Sequence, residues 1–321
     1  MTPGACWVMT TGEAGFRSQA LGLAERLTTE PRELVVGLRF PWNRLPVALT
    51  PDPFALLDPA RERPAPPWPE LLISCGRRTA ALSMAIRKAS GGKTITVHVQ
   101  DPLARPGGFD LVVAMQHDAV TGPNVMKVAT ALHRVTAAKL AQAAEAWRGR
   151  LDFGPEPLAG VLIGGPTGGR TFPTEAFVAA LMRLRREGGA RLAIAPSRRT
   201  PAPLLAAVEA AFAGDPGVLV WDRESDNPYL GILALAGRLV VTSDSVSMIS
   251  EALATGHPVD VFGEPQNGRH AEFLKTLTTD GLIAPFTGGP AVMRALRPVD
   301  ATDFAAQAVR RLVEARTVSV L

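Results

Sequence analysis

The sequence predicts an α/β protein built from two parallel-sheet domains facing each other across a cleft. Three observations predict it. Short apolar, β-branched runs alternate with amphipathic helical stretches in both halves of the chain, the signature of repeated strand–helix–strand units. The length, 321 residues, exceeds one ordinary core and suits two domains of roughly 150 residues each. A turn-rich break, Arg148–Leu158, with Gly149, Gly154, Pro155 and Pro157, separates the two alternations. It sets the domains at 1–148 and 149–321, with the last helix free to pack back on the first.

The elements follow in order. Cys6–Met9 is a strand, Thr10–Gly15 a tight loop, Phe16–Leu27 an amphipathic helix and Glu33–Phe40 a second strand. Pro41–Pro69 holds Trp42, Phe54 and Trp68 among prolines that forbid sustained helix or central strand, so it reads as irregular cover over the core. Leu71–Ser74, Thr94–Val99, Leu111–Met115 and Val125–Val128 are further strands. One helix runs from Gly76 through Lys88, another over Ala137–Trp147. In the second half the strands are Gly160–Ile163, Arg191–Ala195, Val218–Trp221, Leu239–Val241 and Val259–Phe262. The helices there are Thr174–Glu187, Pro203–Ala213, Val246–Ala254 and Phe304–Glu314, with Gly256 predicted just past the third of them.

Composition excludes several classes. With 30 Gly and 28 Pro, the chain falls below the share of a disordered polymer. The net charge is only +4, carried by 29 Arg and 5 Lys against 30 acids, with no long block of one sign, which argues against a nucleic-acid stripe. Cys6 and Cys75 lie in or beside apolar strands and read as buried, reduced thiols. No stretch approaches the ~20 apolar residues of a membrane span. The expected compartment is the cytoplasm, with peripheral membrane contact left open.

Functional signals gather where strands end. In Arg238–Pro265 a strand, the hydroxyl-rich turn Thr242–Ser245 and a helix follow with no slack. A helix start at the carboxyl end of a parallel strand exposes N–H groups and partial positive charge, a ready phosphate site at Ser243, Ser245, Val246 and Ser247. Glu251, seven residues after Asp244, could hold a ribose or sugar diol through paired O–H···O⁻ bonds. Asp244 caps the helix, or, since a cap would cancel the dipole an anion needs, turns away or binds a hydroxyl. Gly164-Gly165-Pro166-Thr167-Gly168-Gly169-Arg170 lets backbone approach a ligand, or is simply a flexible turn. Ser197-Arg198-Arg199 places two guanidinium groups at a strand end, suited to gripping a diphosphate, or solvated. Asn227 and Tyr229, the sole tyrosine, offer a ring for a base, or a loop residue packed on the fold.

The first half offers Gly12, Glu13, Gly15, Arg17 and Gln19, then Gln100 and Asp101, then His117, Asp118 and Asn124, each set following a predicted strand. Glu13, Asp101, His117 and Asp118 are the candidate general bases. His98, inside a strand, reads as core. There is no CxxC, H-E-x-x-H, Asp-x-Asp pair or G-x-S-x-G, so neither a metal site nor a hydrolase elbow is expected.

Several of these blocks, in one order along the chain, resemble the "elongated mitochondria" fission-protein family, whose bacterial members are labelled mitochondrial fission family proteins. They are SQALGLAERL near the start, VQDP at 99–102, QHDAVTGPNV at 116–125 and LHRVT at 132–136. GGP at 164–166, SRRTP at 197–201, NPY at 227–229 and VTSDSVSMISEALATGHPV at 241–259 complete them. That family is in turn similar to GT-B glycosyltransferases, two facing Rossmann-like domains with a nucleotide-sugar donor held mainly by the second. The resemblance implies that the GGP loop, Arg198 and Arg199 approach the donor diphosphate, that Ser243–Ser247 sits at the phosphate and that Glu251 takes the ribose place. The chain departs from the usual GT-B pattern at SDSVS, where glycines are common, and at GEAGF, which lacks the basic histidine of the peptidoglycan N-acetylglucosaminyltransferase.

The leading expectation is a metal-independent transferase using a nucleotide-diphosphate sugar as donor substrate, without a cofactor, toward an unidentified acceptor. A non-catalytic nucleotide-binding or scaffold protein of the fission family is the alternative. An NAD(P)-dependent sugar epimerase or dehydrogenase comes third, because the dinucleotide glycine fingerprint and a Tyr-x-x-x-Lys pair are missing.

Overall fold

The computed structural model describes residues 4–166, 171–265, 268–289 and 297–318. The chain divides into two compact units, Met1–Arg134 with Asp300–Leu321, and Val135–Val299.

Unit 1 begins with β1 (Cys6–Thr10), α1 (Ala14–Glu25) and β2 (Arg32–Val35). β3 (Leu71–Cys75), α2 (Arg77–Ala89), β4 (Ile95–Val99), β5 (Leu111–Met115) and β6 (Val125–Val128) follow. Its sheet runs β2-β1-β3-β4-β5-β6 with every pair parallel. Every residue of β1, β3 and β4 is buried, which is why they read as continuous apolar runs rather than alternating ones. α1 packs Ala20, Leu23 and Ala24 into a core with Val8, Ile73 and Val97. Gly22 permits that approach: a Cβ there would lie 2.2 Å from the His133 carbonyl oxygen. β2 stops at Val35, short of the predicted Phe40, and Leu38 instead makes an isolated antiparallel bridge to Leu57. The proline-rich cover packs Trp42, Phe54 and Trp68 onto Trp7, Leu34 and Leu57, with one 3₁₀ turn at Val47–Leu49.

Unit 2 opens with α3 (Ala137–Leu151), β7 (Leu158–Ile163), α4 (Thr174–Arg186), β8 (Arg191–Pro196), α5 (Ala202–Ala211) and β9 (Val218–Val220). It continues with α6 (Tyr229–Leu235), β10 (Arg238–Thr242), α7 (Val246–Leu253), β11 (Val259–Phe262), α8 (Gly268–Thr279) and β12 (Ile283–Pro285). The sheet order is β12-β11-β10-β7-β8-β9, again all parallel. Chain building spreads from β7 first toward β8 and β9 and later toward β10, β11 and β12. The switch point therefore lies between β7 and β10, where open α/β sheets bind ligands.

The division differs from the one expected at 148/149. The chain passes from unit 1 to unit 2 at Arg134/Val135, and the glycine- and proline-rich stretch taken for a linker lies wholly inside unit 2. α3 runs through Gly149 to Leu151; an added Cβ at Gly149 would meet nothing, so the glycine sits on an open helix face and need not break it. The last helix, α9 (Ala301–Val318), belongs to unit 1, where Ala305, Val309 and Val313 share the core of α1 and Arg316 bonds Asp110 at 2.8 Å. Among the described residues no helix is long and apolar enough to cross a membrane.

Candidate functional site

At the switch point of unit 2, three strand-end loops bond directly to one another. The Gly164 N–H, after β7, donates to the Thr242 hydroxyl at the end of β10, at 2.8 Å. The Gly165 N–H donates to Asp244 Oδ2 at 2.7 Å. From the β8 loop, the Thr200 hydroxyl reaches the Ile163 and Gly164 carbonyls, both at 2.8 Å, and also accepts from the Ser197 N–H. The two glycines serve this loop–loop contact. A Cβ on Gly164 would sit 2.1 Å from Asp244 Oδ2, and one on Gly165 would sit 1.9 Å from the Arg199 carbonyl oxygen. Thr167, and Arg170 of the same motif, lie outside the described residues.

Of the readings offered for Asp244, the structure shows it turned away from the cap position toward the β7 loop. Ser245 is the N-cap of α7, its hydroxyl accepting from the Met248 N–H at 3.4 Å. Asp244 does not cap. Its side chain is 3% exposed, bonds the β7 loop through Oδ2 and lies 3.5 Å from the Arg199 guanidinium. Asp244 Oδ1 is buried with no hydrogen-bond partner among the described residues. The α7 dipole therefore stays uncancelled by a carboxylate cap, and the N–H groups of Val246 and Ser247 belong to a first turn that has no intrahelical acceptors for them. Ser243 turns the other way, donating to the Glu264 carbonyl at 2.8 Å.

Beside this junction a groove of about 430 Å³ opens, lined by Pro196, Ser197, Arg198, Trp221, Tyr229 and Met248. Arg198 is exposed and forms no ion pair among the described residues, unlike Arg199. Tyr229 is the first residue of α6, not of a loop, and its hydroxyl donates to Glu251 Oε2. Burial pushes the Glu251 carboxyl above its ordinary value, partly offset by that bond. The Tyr229 phenol is pushed up as well, by burial first and then by the Glu251 carboxylate. Glu251, predicted to meet a ribose, thus already holds the one tyrosine. The Asn227 side chain accepts from the Tyr229 N–H at 2.9 Å and fixes the turn into α6. Trp221, Arg223 and Met248 were missed from sequence; Trp221, read as the end of a strand, was the available signal, since strand ends of a parallel sheet face the ligand edge.

In unit 1 the predicted residues also follow strand ends, but most are committed to local structure. Glu13, exposed, meets the Thr11 hydroxyl and lies 3.5 Å from Arg78. Gly12 has φ +96°, a backbone suited to glycine, and Gly15 lies within α1. Arg17 pairs with Glu33 and Gln19 is buried. Gln100 adopts φ +78°, and Asp101 accepts the Leu103 N–H at 2.8 Å in a turn. Asp118 is buried and accepts the Met115 N–H at 3.0 Å, with the His117 ring 4.0 Å away. Asn124, expected to line the acceptor loop, instead braces it by donating to the Pro106 and Phe109 carbonyls. His98 is buried, bonds Ser74 at 2.9 Å, and is pushed down to about 3 by burial. Among the described residues no cluster of His, Cys, Asp and Glu could hold a metal.

Comparison with known proteins bears on this geometry. The family model described as mitochondrial fission ELM1 matches residues 14–313. Mitochondrial fission protein ELM1 of Arabidopsis thaliana is 31% identical over 278 residues, covering 77% of this chain and 65% of that protein. This chain thus spans slightly less than two thirds of that relative's length. Among solved structures, the UDP-GlcNAc 2-epimerase of Methanocaldococcus jannaschii is similar with a TM-score of 0.56 at 10% identity, over 97% of this chain and 100% of that one. An S. aureus MnaA–UDP co-structure is similar with a TM-score of 0.53 at 11% identity, over 95% of both chains. At these identities the likeness is one of fold, and the fold is GT-B-like.

Proposed function

The chain belongs to the mitochondrial fission ELM1 family, and on its GT-B-like fold we propose that unit 2 binds a nucleotide-diphosphate sugar for glycosyl transfer. One observation carries the reading: Arg198, which forms no ion pair among the described residues, and the start of α7, which has no carboxylate cap, lie by a groove walled by Trp221 and Tyr229, beside the sheet's switch point. The aromatic walls suit a base, and the guanidinium with the first-turn N–H groups suits a diphosphate. The same groups would stabilise charge that grows on a leaving diphosphate when its bond to the sugar breaks. That a solved structure of similar fold is a co-structure with UDP supports the choice of ligand class.

Calorimetric titration with UDP-, GDP- and ADP-sugars tests it. Wild type is expected to bind one of them, and Arg198→Ala to weaken that binding by about tenfold or more. Absence of binding to all three rejects the reading. A second reading, a nucleotide-binding scaffold without turnover, is favoured by Asp101 and Asp118, whose carboxylates serve backbone N–H groups. Binding without glycosyl transfer, indifferent to Glu13→Gln, would decide for it.

A further inference from the structure

The groove of unit 2 has anchored aromatic walls. Trp221 is held at two points: its backbone N–H donates to the Ile194 carbonyl at 2.9 Å, and its indole Nε1–H donates to the Ser225 carbonyl at 3.1 Å. Tyr229 is held by its hydroxyl on Glu251 and by its backbone N–H on the Asn227 side chain. Every nucleobase has a π-face, so two fixed rings supply stacking without choosing among bases. The choice falls to the polar side chains that line the groove beside them.

Those side chains are donors. Arg198 and Arg223 both line the groove, both are exposed, and neither forms an ion pair among the described residues. A guanidinium group has five N–H donors and no acceptor. Asn227 would ordinarily offer an acceptor beside a donor, the pair that matches adenine. Here its Oδ1 already takes the Tyr229 N–H at 2.9 Å, which leaves the Nδ2 amide as its unengaged end. Ser197 Oγ accepts the Arg199 N–H at 3.2 Å and lies 3.3 Å from the Thr200 hydroxyl. The carboxylates nearby are committed elsewhere. Asp222 Oδ1 accepts the Glu224 and Ser225 N–H groups and the Ser225 hydroxyl, and Asp226 pairs with Arg150 at 2.9 Å. Both border a neighbouring hollow with Trp147 rather than this groove. The Asp222 turn also carries Arg223 at φ +67°, a left-handed backbone that a non-glycine residue keeps only where its surroundings fix it.

A set of donors matches a base edge made of acceptors. Guanine presents O6 and N7 and uracil presents O4, whereas adenine and cytosine carry an amino group there and would set N–H against N–H. We propose that this groove selects a keto base, guanine or uracil, over an amino base, with Arg223 and Asn227 donating to the keto edge. The proposal rests on the nucleotide reading of unit 2 and adds the class of base to it.

Calorimetric titration with UDP, GDP, ADP and CDP tests it. The better of UDP and GDP is expected to bind at least about tenfold more tightly than either ADP or CDP. Arg223→Ala is expected to shrink that preference by about fivefold or more, while Arg198→Ala weakens all four alike. Asn227→Asp keeps the acceptor for the Tyr229 N–H and puts a carboxylate oxygen in place of the amide donor, so it is expected to move preference toward ADP and CDP. Should one of the Arg223 and Asn227 variants fail to melt cooperatively, the other decides. ADP or CDP binding within about threefold of the better keto nucleotide, or an unchanged preference in the folded variants, overturns base selection and leaves the nucleotide reading standing. Absence of binding by all four removes that reading, and this proposal with it.

Discussion

The Tyr229 hydroxyl donates to the Glu251 carboxylate, joining the first residue of α6 to the last turn of α7. The bond holds Tyr229, a wall residue of the unit 2 groove, and gives a buried acid a polar partner. Burial holds the Glu251 carboxyl above its ordinary 4.5, so the folded state binds the proton more tightly than the unfolded chain. Stability from this group is therefore full below the ordinary value and is lost as pH rises through the folded one. Glu251→Gln, which still accepts from Tyr229, is expected to gain on wild type as pH rises toward neutrality. Denaturant midpoints across that range measure it; parallel curves would contradict it.

Gly165→Ala is expected to cost about 1–3 kcal/mol, because its methyl would lie 1.9 Å from the Arg199 carbonyl and only backbone movement can relieve that. A urea unfolding series reads the loss. An unchanged midpoint would mean the β7 and β8 loops are not held as described.

Arg198 and Asp244 should behave as opposites. Arg198 is exposed, so Arg198→Ala is expected to leave stability within about 0.5 kcal/mol while weakening nucleotide-sugar binding. Asp244→Ala removes the acceptor of the Gly165 N–H and the partner of Arg199, at an expected cost of about 1–3 kcal/mol in stability. Thermal melts paired with calorimetry separate the two effects.

Cys6 and Cys75 are free and buried. Burial pushes the Cys6 thiol up to about 12 and the Cys75 thiol up as well. Both stay protonated at pH 8, where the thiolate is the reactive form. An aromatic disulfide reagent is expected to label neither in the native protein and both after unfolding. Rapid native labelling would show that β1 or β3 opens readily.

The alternation of strands and helices was legible because buried parallel strands read as apolar runs and their helices as periodic ones. The structure adds elements whose sequence hides them. α6, YLGILAL, is too short and too uniformly apolar to show a period, β12 is three residues ending in a proline, and α8 carries four threonine or glycine residues among its twelve. The role of Asp244 was not legible, since its partner Gly165 is 79 residues away in sequence and local capping rules cannot see it. The boundary at 134/135 was hidden for the converse reason. Glycines and prolines in 148–158 mark a turn, but only packing decides on which side of a turn a unit begins.

Unit 1 is assembled from both sides of an uninterrupted unit 2. During synthesis the ribosome therefore delivers α1 long before the helix that shares its core. The apolar faces of Leu23 and Leu27 must wait, uncovered by Ala305 and Val309, while all of residues 135–299 are made. Premature termination anywhere in that interval yields a first unit with an open seam, a natural substrate for chaperones and proteases.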